Sequence, residues 1–481
     1  AVTRGPGATN AANGLHTAFQ DSTPLILLIG QVRRDFRGRE AFQEMDCRKL
    51  FGETAKWVTE IERARDIPET VADAFHVAAS GRPGPVVLSL PEDMLRETAA
   101  VADASPRPLD AAKPSAADMK AFGQMLQAAE RPLLMLGGST WSTAAVADIE
   151  RFAETNGLPV ITSFRRQDRF DNRHANYAGH AGIAINPKLA KRIDGCDLLV
   201  ACGPRLGEIT TQGYALIAPP KPKQTLVHIH PGREELGRVY DAGLAIHATM
   251  PNFASAAAAM EPVASAKWSA WLAAARADYL DHIRPTKVPG ALNPGEVVAY
   301  LNEILPPDAI ITNGAGNYTV WVHRFYQYKS FASQLAPTGG SMGYGVPAAI
   351  AAKLVHPERA VVSFSGDGCF LMLGQELATA VQYGANVVFI VVNNAMLGTI
   401  RMHQERTYPG RTIATDLLNP DFAALARAYG ARGERVGRTE DFAAAFERAQ
   451  NAGKPALIEL AVDSEAITPA RTLSSLGINK K

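Results

Sequence analysis

Three doubly wound α/β domains, each built on a parallel sheet, are what this sequence predicts. Three observations carry that expectation. Short runs that are apolar throughout alternate with stretches of helical periodicity, the pattern of strands covered by helices on both faces. The alternation falls into three blocks, separated by two stretches without such alternation that read as connections. A length of 481 residues corresponds to roughly three domains at about 150 residues each.

The elements follow in order. The chain opens Ala-Val-Thr-Arg-Gly-Pro-Gly-Ala-Thr-Asn, with neither an initiator Met nor the charged and apolar regions of a signal peptide. Two apolar residues before a glycine-rich turn read as the tail of a strand already under way, so upstream sequence is expected. Pro24–Gly30 and Pro85–Leu90 read as buried strands bounded by Gly and Pro. Between them Ile67, Val71, Ala74, Phe75 and Ala78 recur at helical spacing over Ile67–Ser80. These form a first domain over 1–95. Leu95–Asp118, rich in Ala, Pro, Asp and Ser, reads as a linker.

A second domain over 115–262 has strands at Leu133–Leu136, Pro159–Thr162, Leu198–Ala201 and Thr225–Ile229, closed by an Ala-rich helix near Phe253–Met260. Glu261–Pro294 reads as a second connection. A third domain over 290–470 has strands at Ala309–Thr312, Ala360–Phe364, Val387–Val392 and Ala456–Leu460. In sheets of this kind, ligands bind beyond the carboxyl ends of the strands, where the topology reverses.

Composition removes several function classes. The 40 glycines and 31 prolines are about 15% of the chain, well below the ~25–30% of a low-complexity chain. A net charge of +1 provides no global field toward nucleic acid or an anionic membrane surface. The longest apolar runs, such as Val387–Val392, fall far short of the ~18 residues of a membrane span. Cys47, Cys196, Cys202 and Cys369 form no CxxC pair and read as buried thiols of a reduced, cytoplasmic protein.

One βαβ unit concentrates the chemistry. Strand Ala360–Phe364 runs into Ser365-Gly366-Asp367-Gly368-Cys369. A helix with Leu373, Leu377 and Val381 on one face follows. Strand Val387–Val392 then ends in Asn393-Asn394-Ala395-Met396. A right-handed crossover brings both strand ends to one sheet edge, which places Asp367 beside Asn394 although 26 residues lie between them. A carboxylate, an amide oxygen and backbone carbonyls are hard ligands suited to Mg²⁺ or Ca²⁺. The glycines admit close backbone approach, and the helix N-terminus favours an anion. Metal and helix together make a diphosphate site.

Gly-Asp-Gly, 24 intervening residues and Asn-Asn closely resemble the thiamine diphosphate motif of the acetolactate synthase-like family. The resemblance extends over the chain. Arg4–Asn10, Ala41–Glu44 (AFQE) and Ser80–Pro91 are similar to the family's pyrimidine-binding domain, and Gly339–Ala349 to the start of its diphosphate-binding half. The three domains are then pyrimidine-binding, central and diphosphate-binding. The resemblance implies that Asp367 and Asn394 bind Mg²⁺ through side chains and Met396 through its carbonyl. Gly366, Gly368 and Cys369 would border the diphosphate, as would Gly314, Asn317 and Tyr318 on a second loop. Met342 would prop the bent cofactor, and Gly340 would offer a carbonyl to its aminopyrimidine.

The activity implied is decarboxylation of a small 2-oxo acid, with the thiazolium ring as electron sink, followed by transfer or protonation of the carbanion. A simple decarboxylase or aldehyde carboligase is the alternative chemistry. A non-catalytic cofactor-binding relative is the alternative of another class. The family pairs one subunit's pyrimidine-binding domain with another's diphosphate-binding domain, implying a homodimer or homotetramer. Phe42 and Gln43 match residues that line the substrate pocket from the partner.

This sequence departs from the pattern in places. Ile209 stands where acetolactate synthases carry an arginine that grips a second carboxylate, a clamp an isoleucine cannot replace. His403 stands in place of a tryptophan and is read either as a general acid or base or as a surface histidine. His228 and His230 share a strand face and are read either as a metal pair or, since no Cys or carboxylate follows at ligand spacing, as structural. Arg165, Arg166 and Arg169 are read either as holding an anionic substrate or nucleotide or as a solvated basic face. The acidic residues that hold a cofactor ribose have no clear counterpart, which leaves FAD or ADP in the central domain an open expectation. The family's activating glutamate precedes the strand leading into the Gly-Pro-Gly turn. Glu40 and Glu44 lie after that turn, so the activating carboxylate is expected upstream of Ala1.

Overall fold

The computed structural model describes residues 1–109 and 111–476, and fifteen strands in three sheets lie among them. The first sheet has β1 (Leu25–Gln31), β2 (Trp57–Glu60) and β3 (Pro85–Pro91), ordered β1-β3-β2. The second has β4 (Pro132–Leu136), β5 (Val160–Thr162), β6 (Tyr177–His180), β7 (Leu198–Cys202), β8 (Thr225–His230) and β9 (Leu244–His247). Its order is β6-β5-β4-β7-β8-β9. The third has β10 (Ile310–Asn313), β11 (Gln334–Leu335), β12 (Val361–Gly366), β13 (Val388–Asn393), β14 (Arg432–Val436) and β15 (Ala456–Ala461). Its order is β11-β10-β12-β13-β15-β14. Every pairing between these strands is parallel.

The all-apolar runs are the central strands, and the alternation of side chains along them feeds two cores. On β13, Val388, Ile390 and Val392 join one cluster with Ile311 and Phe364. Phe389 and Val391 point the other way, into a cluster with Val346 and Phe370. The second sheet is covered likewise, Leu134 and Leu136 on one face and Leu133 and Met135 on the other. Burying each such side chain contributes about 1.5–3 kcal/mol, which is why these strands need no polar face. Ahead of β1, Val2 makes a parallel bridge to Ile29.

Five strands carry no strong sequence signal: β2, β6, β9, β11 and β14. All five are sheet edges. These five are short, of two to five residues, and β14 places Arg432, Glu434 and Arg435 on an edge, as edges that resist further pairing do. The stretch 261–294, expected as a connection, contains the helix Ser269–His282. Its Ala275 and Tyr279, and Trp268 just before it, are buried against the second sheet's cores, so chain beyond 262 still packs on the central domain. Phe75, expected on the buried helix face, is 66% exposed; Ala74 and Ala78 carry that face instead. The helix after Cys369 breaks at Gly374, where a Cβ would lie 2.6 Å from Phe370 Cε1.

The first and second domains are joined by a buried ion pair. Arg82 Nη1 donates to Glu235 Oε1 at 2.9 Å, while Nε reaches Ser22 Oγ at 2.9 Å and Nη2 the Phe19 carbonyl at 2.7 Å. Burial alone would raise the Glu235 pKa, but Arg82, followed by His230 and Arg238, holds it below the ordinary carboxylate range.

Candidate active site

In the third sheet the chain runs outward from β10 to β11, then crosses over to β12 on the other side of β10. The carboxyl ends of β10 and β12 therefore flank a crevice at the topological switch point, the ligand-binding position of such sheets. A cavity of about 220 Å³ lies there, lined by the Ala315–Tyr318, Gly366–Cys369 and Met396–Ile400 segments, with Met342 and Ile467 among its apolar walls. Asp367 is the one carboxylate among the described residues that line it.

Parallel pairing of β12 with β13 puts Gly366 opposite Val392, so Asp367 and Asn394 leave the sheet side by side. Asp367 is 3% exposed. Its Oδ1 accepts from the Gly368 N–H at 2.8 Å and its Oδ2 from Asn419 Nδ2 at 2.8 Å. Burial pushes the Asp367 carboxyl above its ordinary pKa; these bonds and the Met396 and Ala395 N–H groups pull it part of the way back. Between Asn394 and Met396 the turn needs a left-handed residue, and Ala395 adopts φ 55°, a conformation costing an L-residue about 1–2 kcal/mol. The Asn393 side chain holds it, accepting from the Ala395 N–H at 3.0 Å.

On the opposite wall Asn317 precedes the helix Tyr318–Phe325. Its N–H donates to Thr399 Oγ1 at 2.9 Å, and Thr399 Oγ1 donates to Asn317 Oδ1 at 2.9 Å. The Tyr318 hydroxyl is turned inward: it accepts from the Gly314 N–H at 2.9 Å and lies 3.2 Å from Cys369 Sγ. Burial raises the Tyr318 pKa far above its usual value. Cys369 Sγ also accepts from Gly343 N–H at 3.1 Å, so this thiol ties three loops together behind the cavity. A Cβ at Gly368 would come 2.6 Å from Leu397 Cδ2 and 3.9 Å from Met342 Cε. Glycine is needed for the close approach, and Met342 stands over it. Gly340, at φ 71°, completes that rim.

Other sequence-predicted residues lie elsewhere. His403 is exposed on the helix Gly398–Thr407, its Nδ1 accepting from Arg406 Nη2 at 2.7 Å, and does not line the cavity. Phe42 is 79% exposed, and Gln43, at φ 64°, packs on Gly5 in the first domain; neither reaches this cavity within one chain. Glu44 caps the Gly38 and Ala41 N–H groups. His228 and His230 are buried, with His228 Nε2 3.0 Å from the Pro204 carbonyl and His230 Nδ1 accepting from Gly232 N–H at 3.0 Å.

The reading of Arg165, Arg166 and Arg169 as a solvated basic face is overturned. Arg165 is 2% exposed and bonded to the Pro337 carbonyl, burial bringing its pKa down to about 10. Arg166 pairs with Asp21 and Arg169 with Asp168. All three are drawn into the domain junctions. In the central domain a second crevice, of about 380 Å³, lies beyond β4 and β7, and Arg166, Arg205 and Ile209 are on its walls. Among the lining residues Trp321, Leu397, Thr399 and Ile467 carry no sequence signal, and neither does Asn419, which is bonded to Asp367. Asn419-Pro420 reads only as a turn.

Comparison with known proteins bears on this geometry. Residues 1–50 match the thiamine pyrophosphate enzyme N-terminal TPP binding domain, 119–257 the central domain and 314–460 the C-terminal TPP binding domain. The chain is 32% identical to an acetolactate synthase of Mycobacterium bovis over 97% of its own length and 78% of that protein's. It is 34% identical to the acetolactate synthase large subunit of Parasynechococcus marenigrum, covering 92% of this chain and 74% of the relative. Against the acetolactate synthase isozyme 2 large subunit of Escherichia coli the identity is 28%, over 96% and 83%. Among the described residues no helix is long and apolar enough to cross a membrane. With all three domain types matched in order, this chain belongs to the acetolactate synthase-like family of thiamine pyrophosphate enzymes.

Proposed function

We propose that the protein holds Mg²⁺ and the diphosphate of thiamine diphosphate in the β10–β12 crevice and acts on a small 2-oxo acid. The observation that carries this reading is the convergence of Asp367, Asn394 and the Met396 segment on one cavity beside a glycine-lined helix start. The donor set fits the group. One carboxylate, one amide oxygen and one backbone carbonyl are hard oxygens that leave positions for phosphate oxygens, the arrangement Mg²⁺ prefers.

When bound, thiamine diphosphate supplies the thiazolium carbon that takes up the acyl unit of a 2-oxo acid as carbon dioxide leaves. The chain's own part is to bind and orient. Gly368 and Cys369 present N–H groups at the start of the helix Asp367–Leu373, where an anion is favoured. Met342, Trp321 and Ile467 supply apolar wall that excludes water. Ile209 in place of a carboxylate-gripping arginine favours transfer to a proton or an uncharged carbonyl over a second 2-oxo acid. For the central crevice, its room and Arg205 on its wall support a ligand of the FAD or ADP class.

Asp367→Ala tests the reading. Calorimetry is expected to show loss of Mg²⁺-dependent thiamine diphosphate binding, and unchanged affinity would refute the site. A screen of 2-oxo acids, reading both carbon dioxide and carbon-bonded product, then sorts decarboxylation from carboligation. A homodimer or homotetramer is part of the same proposal, supported by Phe42 and Leu418 standing exposed. Sedimentation giving a monomer with cofactor bound would rule it out.

A further inference from the structure

We infer that Asn419 is a positioning residue for the metal-site carboxylate, held in register by Asn393 and Glu459. The inference rests on the Mg²⁺ reading of Asp367 above. Asn419 lies on the loop that follows the helix Gly398–Thr407. That loop is fastened to the site's own turn: Leu397 N–H donates to the Thr415 carbonyl at 2.8 Å and Leu417 N–H to the Ala395 carbonyl at 2.9 Å. Met396 and Asp416 form an antiparallel bridge between them.

The side chain of Asn419 spends both amide hydrogens on the site. One goes to Asp367 Oδ2 at 2.8 Å and the other to Asn393 Oδ1 at 2.9 Å. Its own Oδ1 is buried without a donor. Flipping the amide would set that oxygen against two acceptors, so the orientation is fixed by what Asn419 gives rather than by what it receives. Asn393 is fixed in turn, its Nδ2 donating to Glu459 Oε1 at 2.8 Å. Glu459, on β15, is 3% exposed and has Arg435 Nε 3.5 Å away at the surface. A continuous chain of bonds thus runs from the sheet interior through Glu459, Asn393 and Asn419 to Asp367.

The chemistry calls for a neutral donor at this point. With Gly368 N–H on Oδ1 and Asn419 on Oδ2, both oxygens are tethered and rotation of the carboxylate is restrained. A lysine or arginine in this place would compete with a cation, and a carboxylate would repel Asp367. Small, strictly octahedral Mg²⁺ tolerates little ligand disorder, and losing a partner of a ligand typically costs ten- to a hundredfold in metal affinity.

The test is a Mg²⁺ titration of thiamine diphosphate binding by calorimetry on wild type and Asn419→Ala, with melting of the metal-free proteins alongside. Asn419→Ala is expected to weaken Mg²⁺ about tenfold or more, while cofactor affinity at saturating Mg²⁺ returns close to wild type. Asn419→Ser, whose hydroxyl stops short of both acceptors, carries the same expectation if the alanine variant fails to fold. A lowered melting temperature with unchanged Mg²⁺ affinity would assign Asn419 a structural role only and overturn the inference. Wild-type protein that binds no cofactor with Mg²⁺ would overturn the site reading and this inference together. Wild-type binding with an unaltered variant would overturn the inference alone.

Discussion

Arg82→Ala removes one half of the buried pair that joins the first and second domains. The side chains of Arg82 and Glu235 are 10% and 5% exposed, so the alanine leaves a carboxylate in a largely dry pocket. Breaking such a pair typically costs about 3–5 kcal/mol. Glu235 keeps Arg238 at 3.2 Å, but that side chain is 60% exposed and solvent screens it. The expected loss is therefore at the lower end, about 3 kcal/mol at pH 7.5. The pH dependence follows with a definite sign. In wild type the depressed Glu235 pKa contributes stability above the unfolded carboxyl's value of ~4.3, lost as pH falls through the lower folded value. Without Arg82, burial dominates and the carboxyl rises, so protonation at pH 5 relieves part of the penalty. Replacing both residues, Arg82→Met with Glu235→Leu, is expected to restore stability to within about 1 kcal/mol of wild type. Urea denaturation followed by tryptophan fluorescence at both pH values measures all three variants. A single-variant loss under about 1 kcal/mol, an equal loss at both pH values, or a double variant as weak as the single would refute the reasoning.

Tyr318→Phe leaves the buried Gly314 N–H without its acceptor and is expected to cost about 1–3 kcal/mol; a denaturation midpoint equal to wild type would show that the N–H finds another partner. His230, driven down to about 4 by burial and then by His228, stays neutral in the fold but charges near 6.5 when unfolded. Stability is therefore full above that value and falls as pH drops from 6.5 toward 4, by at most about 1.4 kcal/mol per pH unit from this group. His230→Asn should flatten the acid limb of a stability–pH curve, and an unchanged limb would place the titration elsewhere.

What the sequence made legible follows burial. Runs such as Leu198–Ala201 and Val387–Val392 are apolar because both faces are covered, and their composition announces it. The edges β2 and β14 are half exposed and mixed in polarity, so propensity does not distinguish them from loops. At the site, Asp367 and Asn394 were readable because local chemistry and a right-handed crossover together fix their neighbourhood. Asn419 was not, since its role depends on a loop returning from 52 residues beyond Asp367 with nothing but a turn signature. The arginines at 165, 166 and 169 look solvated in one dimension; their burial arises only when the second domain meets the third and the end of the first domain's opening helix. His403 and Phe42 were placed by resemblance alone, and a single chain does not bring them to the cavity.

The left-handed Ala395 turn has a consequence for time rather than for affinity. Its bend is already made, pinned by Asn393 from within and by Leu417 from the neighbouring loop. A segment already held rigid loses little ordering entropy when a ligand that fits it arrives. On the Mg²⁺ reading proposed above, loading of this site is expected to follow diffusive encounter and the shedding of water from the incoming ion rather than the pace of a loop closing around it.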